Sequence, residues 1–290
     1  MTIPALNPES GFRRLRIDLA YDGTRYAGWA LQPDFPTVQG ELEAALSRIA
    51  RTPISTIVAG RTDAGVHASH QVVHADIPNK PKFNRYHPLQ REWDLGNFHF
   101  RLNQILPEDI RILRMDYAPE NFHARFGASA RHYQYKIADN NVIVPPLKRL
   151  NIATWYRPLN LELMNEASAL MLGEHDFAAF CKFREAATTI RTLTQFAWSR
   201  DSDGYLQADL TADAFCYNMV RNLVGAAVCV GESRFPVEWM VKVLEKATRV
   251  SDSYVFPSKG LTLVGVDFPP EGELALRVQQ AMARRDISEK

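Results

Sequence analysis

From Phe12 to Tyr21 the chain alternates. Leu15, Ile17, Leu19 and Tyr21 fall on one side, and Arg14, Arg16 and Asp18 on the other. A period of two sustained over this length predicts a half-buried strand of antiparallel type. Asp22-Gly23 turns it. Tyr26-Ala27-Gly28-Trp29 follows as an aromatic loop whose rings can serve as core edge or stacking surface. Thr37 has the side chain of an N-cap, and Val38, Leu42, Ala45, Leu46 and Ile49 keep helical spacing behind it, weakened somewhat by Gly40. Ile54 to Ala59 is rich in β-branched residues and reads as a strand. A polar loop punctuated by Gly60 and Gly65 comes next, and the chain turns apolar again at Val72 and Val73. Periodicity is lost from Pro78 to Gly96, where prolines stand at 78, 81 and 88, so an insertion or mobile surface loop is expected. Ile110 to Met115 alternates once more.

A second series begins after Pro119. Arg131 to Ala138 alternates, with Tyr133, Tyr135 and Ile137 on one face, and Asp139-Asn140-Asn141 ends it. Asn160 caps a helix with Met164, Ala167, Leu170 and Met171 inward, stopped by Gly173. Leu193–Trp198 and Leu206–Ala212 read as strands joined by a turn at Asp201-Ser202-Asp203-Gly204. A nearly all-round apolar helix is predicted over Phe215–Val230, a second one near Pro236, and a closing strand over Gly260–Phe268. The expectation is an α+β fold with mainly antiparallel sheet. Its domains are a flexible N-terminal tail (1–11), an N-terminal domain (12–118), a C-terminal domain (119–270) and a C-terminal tail (271–290). No internal repeat is strong enough to establish duplication.

Composition narrows the class. The 290 residues are 46% hydrophobic and 23% charged, ordinary for a globular protein with a real core. No apolar run approaches the ~20 residues of a membrane span, and Met1–Gly11 lacks the basic-then-apolar pattern of a signal peptide. Cys181, Cys216 and Cys229 lie in apolar surroundings and read as small buried hydrophobes in a reducing cytoplasm. A formal net charge of +1 means that any nucleic-acid face must be gathered locally. Arg13-Arg14-Leu15-Arg16, Arg125 with Arg131, and Lys148-Arg149 are the clusters from which it can be drawn.

Three residues stand out chemically. Asp63 sits on a short turn with Arg61 two residues before it and Gly65 two residues after it. Arg221 interrupts an otherwise apolar helix. A buried guanidinium without a partner is costly, so a carboxylate is expected nearby, and Asp63 and Asp213 are the candidates. A carboxylate so paired stays ionised, as a nucleophile, a base or one half of a structural salt bridge. Tyr133 projects from a strand, as a core aromatic or a stacking surface.

Several strings, in order, resemble the tRNA pseudouridine synthase A (TruA) family. They are Tyr21-Asp22-Gly23-Thr24-Arg25-Tyr26-Ala27-Gly28-Trp29, Ala59-Gly60-Arg61-Thr62-Asp63-Ala64-Gly65-Val66-His67-Ala68, and Asn103-Gln104-Ile105-Leu106-Pro107-Glu108-Asp109-Ile110. Phe122-His123-Ala124-Arg125-Phe126, Ala130-Arg131-His132-Tyr133-Gln134-Tyr135, Met219-Val220-Arg221-Asn222-Leu223-Val224-Gly225 and Gly260-Leu261-Thr262-Leu263 follow. The resemblance spans about Phe12 to Pro269. It implies the pseudouridine-synthase fold, two similar α/β sandwich-type halves with an active-site cleft between them. It implies an isomerase that converts uridine to pseudouridine at positions 38, 39 and 40 of the tRNA anticodon stem-loop, without metal or organic cofactor, in a cytoplasmic homodimer. The catalytic Asp falls on Asp63, the base-stacking Tyr on Tyr133 and the Asp-pairing Arg on Arg221. Arg61 takes the place of an RNA-binding arginine, and Arg25, Arg125 and Arg131 are further candidates for tRNA contact. The chain departs from the family at Gly28-Trp29-Ala30-Leu31-Gln32, where Gly-Trp-Gln-x-Gln is common, and at His132 and Gln134, where basic residues are frequent. The segment from Pro78 to Gly96 is longer than the family leads one to expect.

Two other functions compete. His67, His70 and His74, with Asp63, have helical spacing for a zinc site. Gly65 and Val72-Val73 oppose a continuous helix there, and on a strand the three histidines do not share a face. A non-catalytic RNA-binding module of the same fold is the other, and the presence of Asp63, Tyr133 and Arg221 together argues against it.

Overall fold

A computed structural model describes residues 6–81, 92–140, 142–182, 188–246 and 254–283. By their contacts these fall into two compact units, one of residues up to Ser129 together with Val266–Ala283, and one within Ala130–Gly265. Both mix α-helix with largely antiparallel sheet, as expected for the fold class.

In the first unit β1 (Phe12–Tyr21) leads to α1 (Val38–Ala50), β2 (Thr56–Val58), β3 (His67–Pro78), α2 (Leu95–Ile105) and β4 (Ile110–Tyr117). The sheet order is β4-β1-β3, with β2 also on β3. Leu15, Ile17 and Leu19 of β1 are wholly buried, as are Leu42 and Leu46 of α1 and Leu102 of α2, so the alternating strand and the helical stripes close one core. Thr37 caps α1 through its side chain, which accepts from the Gly40 N–H. The sequence reading missed α2, which begins in the stretch taken as aperiodic. Asp94 starts it by accepting from the Asn97 N–H. Asn103 then binds α2 to β4, its Nδ2 donating to the Ile112 carbonyl at 2.9 Å and its Oδ1 accepting the Ile112 N–H at 2.8 Å. Residues 82–91 of the expected insertion lie outside the described residues.

Both expected tails hold ordered structure. Leu6 and Asn7 are tied down, the Leu6 carbonyl accepting from Arg14 Nη1 at 2.6 Å and Asn7 Oδ1 accepting the Asn121 N–H at 2.9 Å. Within 271–290, Leu274–Met282 forms a helix that buries Leu274 and Val278, and Arg277 Nε donates to the Ala128 carbonyl at 3.1 Å.

The second unit contains β5 (Ala130–Ala138), β6 (Ala153–Thr154), α3 (Leu161–Ala169), β7 (Gly173–Asp176), β8 (Ile190–Arg200), β9 (Leu206–Ala212), α4 (Met219–Gly231), α5 (Trp239–Leu244) and β10 (Leu261–Asp267). Its sheet order is β10-β5-β9-β8-β7, with the short β6 parallel to β5. Asn160 caps α3 as expected, accepting from the Leu163 N–H. Leu170 is exposed rather than inward, because the buried stripe runs through Met164, Ala167, Ser168 and Met171 and Leu170 falls to one side of it. Every residue of α4 but Arg221 is buried, which accounts for its all-round apolar sequence.

One cysteine reading is corrected. Cys181 and Cys216 are not separate thiols but a disulfide pair with Cα atoms 5.8 Å apart, while Cys229 is free and buried. The segment before α4 folds back along residues 180–182, with Lys182 N–H donating to the Tyr217 carbonyl at 2.9 Å and Asn222 Nδ2 to the Phe180 carbonyl at 2.6 Å. That contact joins sulfurs far apart in sequence. Among the described residues no helix is long and apolar enough to cross a membrane.

Candidate active site

Asp63 is half-buried on the loop between β2 and β3, and that loop is held along its length. Ala59 N–H donates to the Val72 carbonyl at 2.9 Å where the loop begins. The Thr62 carbonyl accepts the Trp29 N–H at 3.0 Å, and the Thr62 hydroxyl lies 2.7 Å from that of Tyr21. Val66 N–H donates to the Asp63 carbonyl at 3.1 Å, and Gly65, at φ +74°, donates to the Tyr26 carbonyl at 3.3 Å. These bonds fix the backbone on both sides of the carboxylate, the arrangement a reacting group needs to keep one geometry.

The Tyr21–Trp29 string supplies the other wall. Gly28 has φ +107°, and a Cβ there would stand 2.9 Å from the Thr62 carbonyl oxygen and 3.2 Å from the Asp63 carbonyl carbon. Only glycine combines that backbone angle with so close an approach. A Cβ on Gly23 would overlap the Val66 carbonyl. Tyr26 and Trp29 are 3% and 1% exposed, so these rings serve as core. Asp109 gathers the string from below: Oδ1 accepts the Tyr26 hydroxyl at 2.6 Å and Oδ2 accepts Arg25 Nε at 2.5 Å, which raises the Arg25 pKa further above its ordinary value. His67 Nδ1 stands 3.1 Å from Asp22 Oδ1 and 3.2 Å from the Gly23 nitrogen. Partial burial pushes the Asp22 pKa up, but bonds from Thr24 and the neighbouring His67 outweigh it and leave the carboxyl below its usual range.

In the second unit Tyr133 lies on β5 opposite Leu210 of β9, 8% exposed, with its ring edge-on to Phe215 at 5.1 Å between centroids. Arg221 does not have the environment its sequence suggested. It is half-buried rather than buried, and its Nε donates to the Phe256 carbonyl at 2.6 Å, with Nη1 3.4 Å from Asn218 Oδ1. A main-chain carbonyl thus meets the need that seemed to demand a carboxylate. The alternative carboxylate, Asp213, accepts the Thr192 and Ala214 N–H groups through Oδ1 at 3.0 and 2.8 Å.

The arginines proposed for RNA contact divide. Arg25, Arg61 and Arg125 are exposed, Arg125 with its guanidinium 5.1 Å above the Phe126 ring. Arg131 is buried, and its Nη1 donates to the Asp213 carbonyl at 2.5 Å, so it braces β5 against the segment after β9. Among the described residues no three His, Cys, Asp or Glu side chains are grouped to hold a metal ion. The three histidines of β3 have separate roles. His67 is beside Asp22, His70 Nε2 is 3.1 Å from Asp18, and His74 accepts the Ala124 N–H.

Sequence reading overlooked Tyr21, Thr62 and Gln71, which together hold the Asp63 loop. A signal was present for Gln71. It is an amide one residue before the apolar pair Val72-Val73, and it proves fully buried.

A family model described as tRNA pseudouridine synthase matches residues 167–269. Over most of its length the chain is similar to three proteins named tRNA pseudouridine synthase A. That of Frankia casuarinae is 47% identical, over 95% of this chain and 96% of its own. That of Streptomyces griseus is 48% identical over 96% of each, and that of Mycobacterium leprae 45% identical over 94% and 95%. At that identity and coverage, the strings around Asp63, Tyr133 and Arg221 are part of a kinship that runs the length of the molecule, and the chain belongs to the tRNA pseudouridine synthase A family.

Proposed function

We propose that this protein isomerises uridine to pseudouridine at positions 38, 39 and 40 of the tRNA anticodon stem-loop. Asp63 acts as the catalytic carboxylate, Tyr133 stacks on the target base, and Arg221 is the electrostatic partner of Asp63. The observation that carries the reading is the placement of Asp63, in a chain of this family, half-exposed on a loop pinned at Thr62 before it and at Gly65 after it. In the reaction the N1 glycosidic bond breaks, the uracil turns, and carbon 5 bonds to the ribose. An ionised carboxylate serves each available route, by attack on ribose or base or by removal of a ribose proton. The target nucleotide must leave its stack, at a cost of a few kcal/mol, and a tyrosine ring recovers about 1–3 kcal/mol of it.

In this reading Arg25, Arg61 and Arg125 meet phosphates, which sets position, and the shape of the RNA selects the loop. Arg131 is left out because of its burial and its bond to Asp213. We further propose that the protein works as a homodimer in the cytoplasm, without metal or organic cofactor, and that its two units are the two related halves of the family fold. The test is Asp63→Asn with tRNA tritiated at carbon 5 of uridine. Tritium release is expected to be abolished while tRNA affinity stays within about threefold. Full release by the variant would overturn the assignment.

A further inference from the structure

Gln71 is wholly buried on the apolar face of β3, opposite Leu19 of β1. An amide in such a place is costly unless its groups are bonded. Here they are. Nε2 donates to the Gly60 carbonyl at 2.7 Å and lies 3.4 Å from the Tyr21 hydroxyl oxygen, while Oε1 accepts the Val72 N–H at 3.1 Å. A carbonyl can only accept and a backbone N–H can only donate, so the two ends of the amide are assigned without ambiguity. Tyr21 therefore receives a hydrogen from Gln71 and shares a 2.7 Å hydrogen bond with Thr62 Oγ1, in which either hydroxyl can donate. Burial pushes the Tyr21 hydroxyl up to about 12, against the lowering effect of its bonds to Thr62 and Gln71, and keeps it protonated. Pairing between β1 and β3 shifts between Leu19 and Tyr21, so that Leu19 opposes Gln71 while Tyr21 opposes Ala68. Irregularities of this kind re-aim a side chain.

We propose that Gln71 and Tyr21 are positioning residues for Asp63, a relay that sets the carboxylate through Thr62. The relay grips the loop at Gly60, before Arg61, and at Thr62, the residue before Asp63. With the Thr62 carbonyl already held by Trp29, both polar ends of Thr62 are fixed, and the start of Asp63 is fixed with them. Displacing a reacting group by about 1 Å can cost ~100-fold in rate. The proposal rests on Asp63 being the catalytic carboxylate.

The experiment compares Tyr21→Phe, Thr62→Val and their double variant with Asp63→Asn, at saturating tRNA and well below each unfolding midpoint. Tyr21→Phe removes only an oxygen. It is expected to lower kcat about tenfold or more, with KM and tRNA affinity within about twofold. The double variant should lose no more than the worse single variant, since both delete the Tyr21–Thr62 bond. A merely structural contact would lower the unfolding midpoint and leave kcat alone. Should Tyr21→Phe not fold, Thr62→Val carries the same kcat test. A kcat within about twofold of wild type, with Asp63→Asn inactive, overturns the relay alone. Activity in Asp63→Asn overturns both the relay and the assignment it rests on.

Discussion

The Nδ1 of His74 accepts the backbone N–H of Ala124 at 3.0 Å. The pattern repeats at His123, whose Nδ1 accepts the N–H of Phe126 three residues on at 3.1 Å, and the two imidazoles pack edge to face with centroids 4.8 Å apart. Both nitrogens must stay bare to accept. Burial, with Arg14 nearby, pushes His74 down to about 2 and His123 down to about 4.

Acid sensitivity follows. Below about pH 6.5 the unfolded chain binds protons at both histidines that the folded chain refuses. Stability is therefore greatest above that pH and falls as pH drops through the interval toward the folded values. For His74 the slope is up to about 1.4 kcal/mol per pH unit. Urea unfolding at a series of pH values should show the decline, and His74→Asn, which keeps an acceptor and does not titrate, should flatten it in part. A wild-type stability constant between about pH 7 and pH 5 would contradict this.

Two glycines separate strain from collision. Gly28 and Gly204 both have positive φ, but a Cβ on Gly204 meets nothing within 4 Å, whereas on Gly28 it meets the Thr62–Asp63 backbone. Gly204→Ala should cost about 1 kcal/mol, the backbone penalty alone, and leave pseudouridine formation unchanged. Gly28→Ala should cost more than this and lower kcat at least about tenfold, because the loop must shift. Equal kcat in the two variants would show that the Gly28 approach does not govern the Asp63 geometry.

Arg221→Lys keeps the charge and loses the fork. The guanidinium holds the Phe256 carbonyl through Nε and keeps other N–H groups for a second partner, which one ammonium on a flexible stem cannot reproduce. Chemical denaturation should register a loss of about 1 kcal/mol, and kcat is expected to fall more than about tenfold. An unchanged kcat would remove Arg221 from the reaction.

Much of the fold was legible where one period dominated. β1 and β5 announced themselves by alternation, α1 by its stripe and its cap. α2 was hidden because its start lies in a stretch of prolines and polar residues, and Asp94 gave the only local sign of a cap. The C-terminal helix was hidden because its buried side is narrow, Leu274 and Val278 alone. For the site, local sequence marked Asp63 through the turn around it, but not the relay from Gln71 to Thr62. That relay depends on the register of β1 against β3, which no single segment encodes. The bond from Arg221 to the Phe256 carbonyl was not legible because a main-chain acceptor leaves no residue-type signal in the sequence.

The unit that carries Asp63 is completed by residues 266–283. Ser129 N–H donates to the Asp267 carbonyl at 2.8 Å, and Phe268 packs on Phe122 with centroids 4.9 Å apart. During synthesis all of Ala130–Gly265 must emerge before those partners arrive. The segment made first is thus the last to be sealed, and a nascent chain stopped at Gly265 carries the whole Asp63 loop on a unit whose Phe122 has lost its Phe268 cover.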